Sequence, residues 1–329
     1  MSAMTGPQDI ATVEPVPHGR TARRLEWPLL PPALRRTIEQ QLGSPVARAE
    51  TRNSGFTPGF ASVLTGDNGR RLFVKAASKK AQAQFAAAYA EEARKIVLLP
   101  REVPAPRLLW KHEDDLWIAL GFEYVDARPP APPGPRGRPW RREDLMACLD
   151  TLAVVADHLN PVPPAWSLSP IEQELPSLLD GWQYVRRVAP DWPHLDDAET
   201  LVATYASFPG NDAFVHSDAR DDNFLLAPGK PAMLCDWNWP ALGPVWLDAV
   251  DLLASAYGDG LDADALLAEH PLTKQADPDH VDAWLAMLAG LMLEARDRPR
   301  PNSSPYLRVH ANWWAEVLWA WLAARRGWS

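Results

Sequence analysis

The sequence predicts an α+β fold with two lobes: a small N-terminal lobe built on an antiparallel sheet with one main helix, and a larger, mainly helical C-terminal lobe. Three observations support this prediction. The chain has 329 residues, whereas a single hydrophobic core stops growing at about 250 to 300 residues. Strand patterns are concentrated before residue 126, and helical patterns dominate after residue 140. A proline-rich stretch separates these two regions.

The N-terminal lobe is expected over residues 25–126, after a flexible tail at residues 1–24 that is polar and has no periodicity. It begins with a helical pattern over Trp27–Leu42 and contains a second, alanine-rich helix over Lys79–Leu99 that ends at Pro100. Alternating apolar residues between turn signals predict five strands. These strands are Ala47–Thr51, Phe60–Thr65, Arg71–Ala76, Arg107–Lys111 and Leu116–Tyr124.

Residues 127–139 are expected to form a linker, because proline lacks the amide donor that helices and sheets require. The C-terminal lobe then covers residues 140–329. Only residues 213–235 depart from its helical patterns, with short strand-like runs between charged loops. The predicted helices are Arg142–Leu159, Ile171–Val185, Asp196–Phe208, Leu247–Ala256, Asp262–Glu269, His280–Arg296 and Pro305–Arg326. The strand-like runs are Ala213–Val215, Phe224–Leu226 and Ala232–Cys235.

Composition restricts the classes of partner. The formal net charge of −9 argues against nucleic acid, whose binding proteins usually carry a basic excess. Cys148 and Cys235 lie far apart in apolar sequence, so they predict no disulfide framework and fit a cytoplasmic protein. The apolar stretches are shorter than the roughly 20 residues that span a bilayer, so no membrane partner is expected.

One polar constellation interrupts the apolar strand-like runs of the C-terminal lobe. His216, Asp218 and Asn223 form the pattern His-x-Asp-x-x-x-x-Asn, and Asp236 follows thirteen residues after Asn223, beyond a turn that contains Pro-Gly. A loop and the following hairpin can bring the side-chain oxygen atoms of Asp218, Asn223 and Asp236 to one cavity. A few hard oxygen ligands suit Mg²⁺, which takes its other ligands from water and phosphate. The alternative is that they are ordinary polar turn residues.

This constellation resembles the aminoglycoside phosphotransferase and choline kinase-like family, which has a protein-kinase-like fold. The family loop reads His-Gly-Asp-x-x-x-x-Asn and its later strand ends in Asp-Trp; here the segments are His216-Ser217-Asp218 through Asn223, and Asp236-Trp237. The resemblance covers nearly all of residues 45–325, although Ser217 replaces the usual glycine.

The resemblance implies roles for the four residues of the constellation. Asp218 would be the catalytic base that accepts the proton of a substrate hydroxyl. Asn223 and Asp236 would bind Mg²⁺ against the phosphates of ATP or GTP. His216 is a further catalytic candidate: it would brace the loop, which is the preferred role, or take part in proton transfer. Asp248 could cap a following helix and bond to the loop.

The N-terminal lobe supplies further candidates. Lys75 taken alone could be a solvated strand residue, but the resemblance implies that it contacts the α- and β-phosphates. Either Glu91 or Glu92 should pair with Lys75, and Glu92 matches the family pattern better. Gly55 and Gly59 would let the backbone of the Asn53–Phe60 loop approach the phosphates. The resemblance also implies that the backbone groups of Glu123 and Val125 bind a purine.

The first functional hypothesis is an ATP- or GTP-dependent kinase of a small-molecule hydroxyl, with an aminoglycoside-like antibiotic as one candidate acceptor. The alternatives are a catalytically silent nucleotide- or partner-binding module, or a kinase of choline, an amino alcohol or a macrolide. The protein could be a monomer or a dimer. A set of acidic residues could form a wall for a cationic amino sugar, or could equally be helix caps and solvated faces. These acids are Asp191, Asp196, Asp197, Asp282 and Glu294.

Overall fold

The computed structural model of the chain describes residues 6–14, 16–17, 21–130, 140–298, 304 and 306–328. Most of the expected linker, residues 131–139, lies outside these ranges. Both cysteines are free thiols. Across the described ranges, no helix combines the length and the apolar character that crossing a bilayer requires.

The described part of the N-terminal lobe has five strands and two α-helices, which confirms its predicted composition. Their bounds are β1 (Val46–Thr51), β2 (Phe60–Gly66), β3 (Arg71–Ser78), β4 (Leu108–Glu113), β5 (Trp117–Glu123), α1 (Pro32–Leu42) and α2 (Ala83–Ile96). All neighbouring strands are antiparallel, in the order β1-β2-β3-β5-β4. Strand β3 therefore lies at the centre of the sheet, paired on both sides.

Alternation along β3 decides which residues face which helix. Leu72, Val74 and Ala76 pack in one apolar cluster with α1. Phe73 and Ala77 belong to the other cluster, which contains buried residues of α2. Because successive strand residues point to opposite faces of a sheet, Lys75 lies on the α2 face.

The C-terminal lobe is mainly helical, as predicted, so the α+β fold is confirmed. In its described residues the helices are α3 (Arg142–Leu159), α4 (Ile171–Glu174), α5 (Ser177–Val188), α6 (Leu195–Thr204), α7 (Leu247–Gly258), α8 (Ala263–Glu269), α9 (Pro278–Asp297) and α10 (Tyr306–Arg326). The short strands are β6 (Ala213–Val215), β7 (Phe224–Leu225), β8 (Met233–Leu234) and β9 (Ala241–Gly243). The sequence patterns did not indicate β9.

Two predicted helices are each divided in the structure, and proline explains both breaks. The pattern over Trp27–Leu42 becomes a short 3-10 turn at Trp27–Leu29 followed by α1, whose first residue is Pro32. The pattern over Ile171–Val185 becomes α4 and α5, with Pro176 between them. Proline has no N–H for an interior helical hydrogen bond but is tolerated at a helix start.

The short strands bring two loops together. Residues 216–223 connect β6 to β7, and residues 235–240 connect β8 to β9. Strand β6 pairs with β9 and β7 pairs with β8, so both ends of one loop lie beside the ends of the other. A backbone hydrogen bond from Cys235 N to Asn223 O, 2.8 Å long, joins the two loops directly.

The expectation of a flexible tail over residues 1–24 requires correction for the residues of that segment that the structure describes. The 3-10 turn at Ile10–Thr12 lies against α10, and Gln8 N donates to Glu316 Oε2 at 2.7 Å. Val13 and Val16 are buried. Such isolated apolar residues have no periodicity, so the sequence pattern does not reveal that the folded lobes cover them.

Candidate active site

The first part of the site is an ion pair inside the N-terminal lobe. Lys75 Nζ lies 2.9 Å from Glu92 Oε1 and 3.1 Å from Glu92 Oε2, and both residues are buried. Glu91, one position earlier on α2, points outward and pairs with Arg94 at 2.9 Å. The preferred pairing of Lys75 with Glu92 is therefore present.

Asp236 connects this ion pair to the C-terminal lobe, because its Oδ1 accepts a hydrogen bond from Lys75 Nζ. Burial by itself lowers the pKa of Lys75, but the charges of Asp236 and Glu92 outweigh it and raise the pKa above its ordinary value. Burial disfavours ionisation of Asp236, yet Lys75 lowers its pKa overall. Lys75 is thus a fixed cation and Asp236 a fixed anion in the cleft between the lobes.

Asp218 and Asn223 face each other within the 216–223 loop. Asn223 Nδ2 donates to Asp218 O at 2.8 Å and to Asp218 Oδ2 at 3.0 Å. The other carboxylate oxygen, Oδ1, accepts from Arg220 Nη1 at 2.6 Å, and Arg220 Nε donates to Asp222 Oδ1 at 3.0 Å. Hydrogen bonds to both of its oxygens therefore fix the orientation of the Asp218 carboxylate.

The surroundings of Asp218 shift the pKa of its carboxyl group upward, toward neutral pH. Burial raises its pKa to about 6; Arg220 opposes this shift, while the charges of Asp222 and Asp236 add to it. A carboxylate with a pKa in this range is ionised at neutral pH and is a stronger base than an ordinary aspartate.

Asp248, at the start of α7, holds the backbone of the loop. Its Oδ2 accepts from His216 N at 2.6 Å and its Oδ1 from Ser217 N at 2.8 Å, so the predicted contact with the loop is confirmed. The predicted helix cap is not present, since the N-cap position is Trp246 and no side chain caps it. Ser217 has a φ of 60°, a left-handed conformation that glycine adopts without strain.

His216 is placed to brace the two loops. Its ring is fully buried, its Nε2 lies 3.0 Å from Cys235 O, and its edge packs on Trp237 with ring centroids 4.9 Å apart. Burial lowers the pKa of His216 to about 4, so the ring is neutral at pH 7. These contacts fit a positioning role.

The Asn53–Phe60 loop lies over the cleft and reaches the C-terminal lobe. Gly59 has a φ of 130°, and a Cβ there would lie 3.0 Å from Ala76 O, so the position requires glycine. Gly55 also has a positive φ, 74°. Phe56 packs edge-on against His310 of α10, with ring centroids 4.8 Å apart.

Glu123 and Val125 lie where the sheet leaves β5 toward the C-terminal lobe. The Glu123 side chain bonds Arg107, with 2.9 Å from Arg107 N to Glu123 Oε1, and Glu123 N donates to Arg107 O. Among the described residues, the backbone N–H and carbonyl of Val125 take part in no hydrogen bond. Of these two residues, Val125 is therefore the one whose backbone N–H is not already bonded within the described residues.

The donor set near Asp236 fits a magnesium ion. Because Asp218 fixes Asn223 Nδ2, the amide oxygen of Asn223 points away from Asp218 and is available as a ligand. Asp236 is ionised and joined to Asn223 through the Cys235 backbone. Two oxygen ligands from the protein are typical for Mg²⁺ that also binds phosphate. Among the described residues there is no group of three His, Cys, Asp or Glu side chains arranged to bind a metal.

A sheet lobe with a buried Lys–Glu pair, set against a helical lobe with an Asp and Asn loop, defines a kinase-like phosphotransferase. The sequence model of the phosphotransferase enzyme family APH matches residues 53–284. The chain belongs to this family. A search of curated protein sequences gives no significant match.

Solved structures with the same fold are distant in sequence. The GDP and kanamycin complex of APH(2")-IIia is 14% identical, with a TM-score of 0.57, and the alignment covers 90% of this chain and 98% of that one. A macrolide 2'-phosphotransferase type I is 18% identical, with a TM-score of 0.55 and coverages of 85% and 94%. Choline kinase LicA from Streptococcus pneumoniae is 11% identical, with a TM-score of 0.54 and coverages of 89% and 99%.

Sequence patterns assign no role to two residues that the structure places at the site. The unusual charge of the 216–223 loop is visible in the sequence, but the contact of Arg220 with Asp218 is not. Arg24 lies in the segment expected to be a tail, and its Nη2 donates to Ser54 O at 2.9 Å in the glycine-containing loop. No pattern in the sequence marks Arg24.

Proposed function

We propose that this chain transfers the terminal phosphoryl group of ATP or GTP to a hydroxyl of a small molecule. One observation carries the proposal: Lys75 of the N-terminal lobe lies in the same cleft as three residues of the C-terminal lobe. These residues are Asp218, Asn223 and Asp236. Phosphoryl transfer depends mainly on positioning and on neutralising charge, and this arrangement supplies both.

Asp218 is the proposed catalytic base. Its carboxylate is oriented by Asn223 and Arg220, and the pKa of about 6 leaves it ionised at neutral pH. Its role is to accept the hydroxyl proton of the acceptor as the oxygen attacks phosphorus. His216 and Asp248 keep the loop in this conformation.

Lys75 is proposed to bind the α- and β-phosphates, with Glu92 fixing its ammonium group. Gly55 and Gly59 allow the loop backbone to approach the phosphates, and the backbone at Glu123 and Val125 faces the purine. Asn223 and Asp236 would hold Mg²⁺, which neutralises phosphate charge when bound. Matching structures contain GDP, ADP or AMP, which makes both purines candidates.

The acceptor is a small hydroxyl compound, and the contacts of the acidic candidates bear on its class. Asp196 pairs with Arg186, Asp282 with Arg325, and Glu294 with Arg298. The charges of these three acids are therefore partly neutralised, which weakens the proposal of an acidic wall for a polyamine. Kanamycin, macrolide and choline enzymes among the matching structures define the classes of alcohol to test first.

The test is a coupled assay for nucleoside diphosphate release with Mg²⁺ and ATP or GTP. Aminoglycosides, macrolides, choline-like alcohols and amino alcohols are added separately, and the phosphorylated product is identified by mass spectrometry. At least one class is expected to stimulate release. Binding of nucleotide without acceptor-dependent release above that of Asp218→Asn would instead support the silent module.

Glu92→Gln is expected to raise the KM for the nucleoside triphosphate by about ten- to hundred-fold, since Lys75 loses a charged hydrogen-bond partner. Glu91→Gln is the matched control on the same helix, because Glu91 is exposed and its ion pairs within the described part of the chain are with Arg94 and Lys95. Steady-state kinetics with varied nucleotide compare the two. Equal KM values for the nucleotide in Glu92→Gln and Glu91→Gln would contradict the proposal that Glu92 fixes the Lys75 ammonium group.

A further inference from the structure

The N-terminal segment before the first strand is fastened to the glycine-containing loop on both sides of Arg24. Ala22 N donates to Asn53 O at 3.0 Å, and Thr21 Oγ1 donates to Gly55 O at 2.5 Å. After Arg24, Leu25 N donates to Gly59 O at 2.8 Å. These bonds run the length of the loop and fix the backbone position of Arg24.

The same segment is also attached to the C-terminal lobe. Ser304 Oγ donates to Thr21 O, and Ser304 is buried. Arg23 is exposed, whereas Arg24 is half-buried. Because neighbouring residues of an extended segment point to opposite sides, the backbone sends Arg23 to solvent and Arg24 toward the cleft.

The Arg24 guanidinium lies at the inner side of the loop, beside the catalytic loop. A Cβ added to Gly55 would lie 3.4 Å from Arg24 Nη2 and 3.9 Å from Asp222 Oδ2, so both charged groups flank this glycine. Arg24 and Asp222 therefore lie next to the same glycine, between the glycine-containing loop and the catalytic loop.

The hydrogen bonds of the Arg24 guanidinium to the described residues are incomplete. Nη2 donates to Ser54 O, but Nε is buried and makes no hydrogen bond to any described residue. A buried guanidinium N–H without an acceptor is unfavourable, and an anion at this position would satisfy it. Guanidinium groups suit phosphate oxygens because their donors form a planar fork.

We propose that Arg24 is a phosphate-binding residue of the nucleotide site, contacting the β- or γ-phosphate beneath the glycine-containing loop. This inference rests on the proposed function. It places a binding residue in the segment before the region that the family model matches, residues 53–284. Arg24 adds a third cation, with Lys75 and Arg220, to a cleft that contains the carboxylates of Asp218, Asp222 and Asp236.

The experiment compares Arg24→Gln with Arg23→Gln by isothermal titration calorimetry in Mg²⁺. The ligands are a nucleoside, its monophosphate, its diphosphate and a non-hydrolysable triphosphate analogue, with the purine that the wild type prefers. Glutamine keeps a donor for Ser54 O but removes the charge. The full-length chain is used throughout, and thermal unfolding verifies that both variants fold.

Arg24→Gln is expected to weaken triphosphate binding about ten- to hundred-fold and to leave nucleoside binding unchanged, because the phosphates are the part of the nucleotide that would contact the guanidinium. The salt dependence of triphosphate binding should also become less steep. Arg23→Gln should bind every ligand as the wild type does. Arg24→Lys keeps the charge and is expected to lose less affinity than the glutamine variant, which supplies a test should Arg24→Gln fold poorly.

Equal loss for nucleoside and triphosphate, or wild-type affinity in Arg24→Gln, would overturn the proposal, as would equal losses in the lysine and glutamine variants. Titration of Lys75→Met in parallel separates this result from failure of the proposed function. If Lys75→Met loses triphosphate affinity and Arg24→Gln does not, the role of Arg24 alone is wrong. If the wild type binds no nucleotide, both proposals are wrong.

Discussion

Asp218→Asn is expected to lower kcat by about 10²- to 10⁴-fold, the usual contribution of a general base. Asparagine has nearly the same shape and can still bond Asn223, so the loop should keep its conformation. Nucleotide affinity should therefore stay near the wild-type value, because Lys75 and Asp236 are unchanged. Steady-state kinetics and calorimetry of the same preparation measure the two quantities.

The pH dependence gives an independent measurement of the same role. Burial raises the pKa of Asp218 to about 6, and the base acts only in its ionised form. Wild-type activity should be full above this pKa and should fall as the pH drops below about 6. The residual activity of Asp218→Asn should lack this decrease.

Asp212→Asn is the matched control, since Asp212 precedes the same loop but is exposed to solvent. It should retain wild-type turnover and the wild-type pH profile. Undiminished turnover in Asp218→Asn would show that Asp218 is not the base. A variant that loses nucleotide binding and turnover together would instead indicate a structural role.

Lys75→Met should lower kcat/KM for the nucleotide by about 10²- to 10³-fold, the effect typical of removing one preorganised charge-stabilising group. The variant also leaves Glu92 in a buried position without its cation. Such a loss costs about 3 to 5 kcal/mol of unfolding free energy, an upper bound here because protonation of Glu92 relieves part of it. Kinetics and chemical denaturation at pH 7 measure the two effects.

Lys80→Met serves as its control, because Lys80 lies just after β3 and is exposed. Its kinetics and its unfolding free energy should match those of the wild type. If Lys75→Met kept wild-type nucleotide kinetics while unfolding more easily, Lys75 would be a purely structural cation. Wild-type stability together with wild-type kinetics would contradict both parts of the assignment.

The contact between Lys75 and Asp236 also suggests how the cleft responds to nucleotide. In the structure Lys75 Nζ is shared between Glu92 and Asp236, and Arg220 is shared between Asp218 and Asp222. The cations thus neutralise the carboxylates of the site. Phosphates that enter the cleft under the proposed function would compete with these carboxylates for the same cations.

The sequence by itself determined the α+β fold, the two lobes and the elements that carry the site. Helix α3 matches its predicted bounds, and prolines mark where other helices break. The 216–223 loop was recognisable because its polar residues lie between apolar strands. These features are encoded locally, in periodicity, turn residues and short motifs.

Only the tertiary structure decided which side chains meet. The family pattern favoured Glu92 over Glu91 without excluding either, and the rotation of α2 against β3 turns Glu92 toward Lys75 and Glu91 to solvent. The contact of Arg24 with the glycine-containing loop depends on bonds between segments about thirty residues apart in the chain. No local pattern encodes such contacts, because they arise when separate elements bury their surfaces against one another.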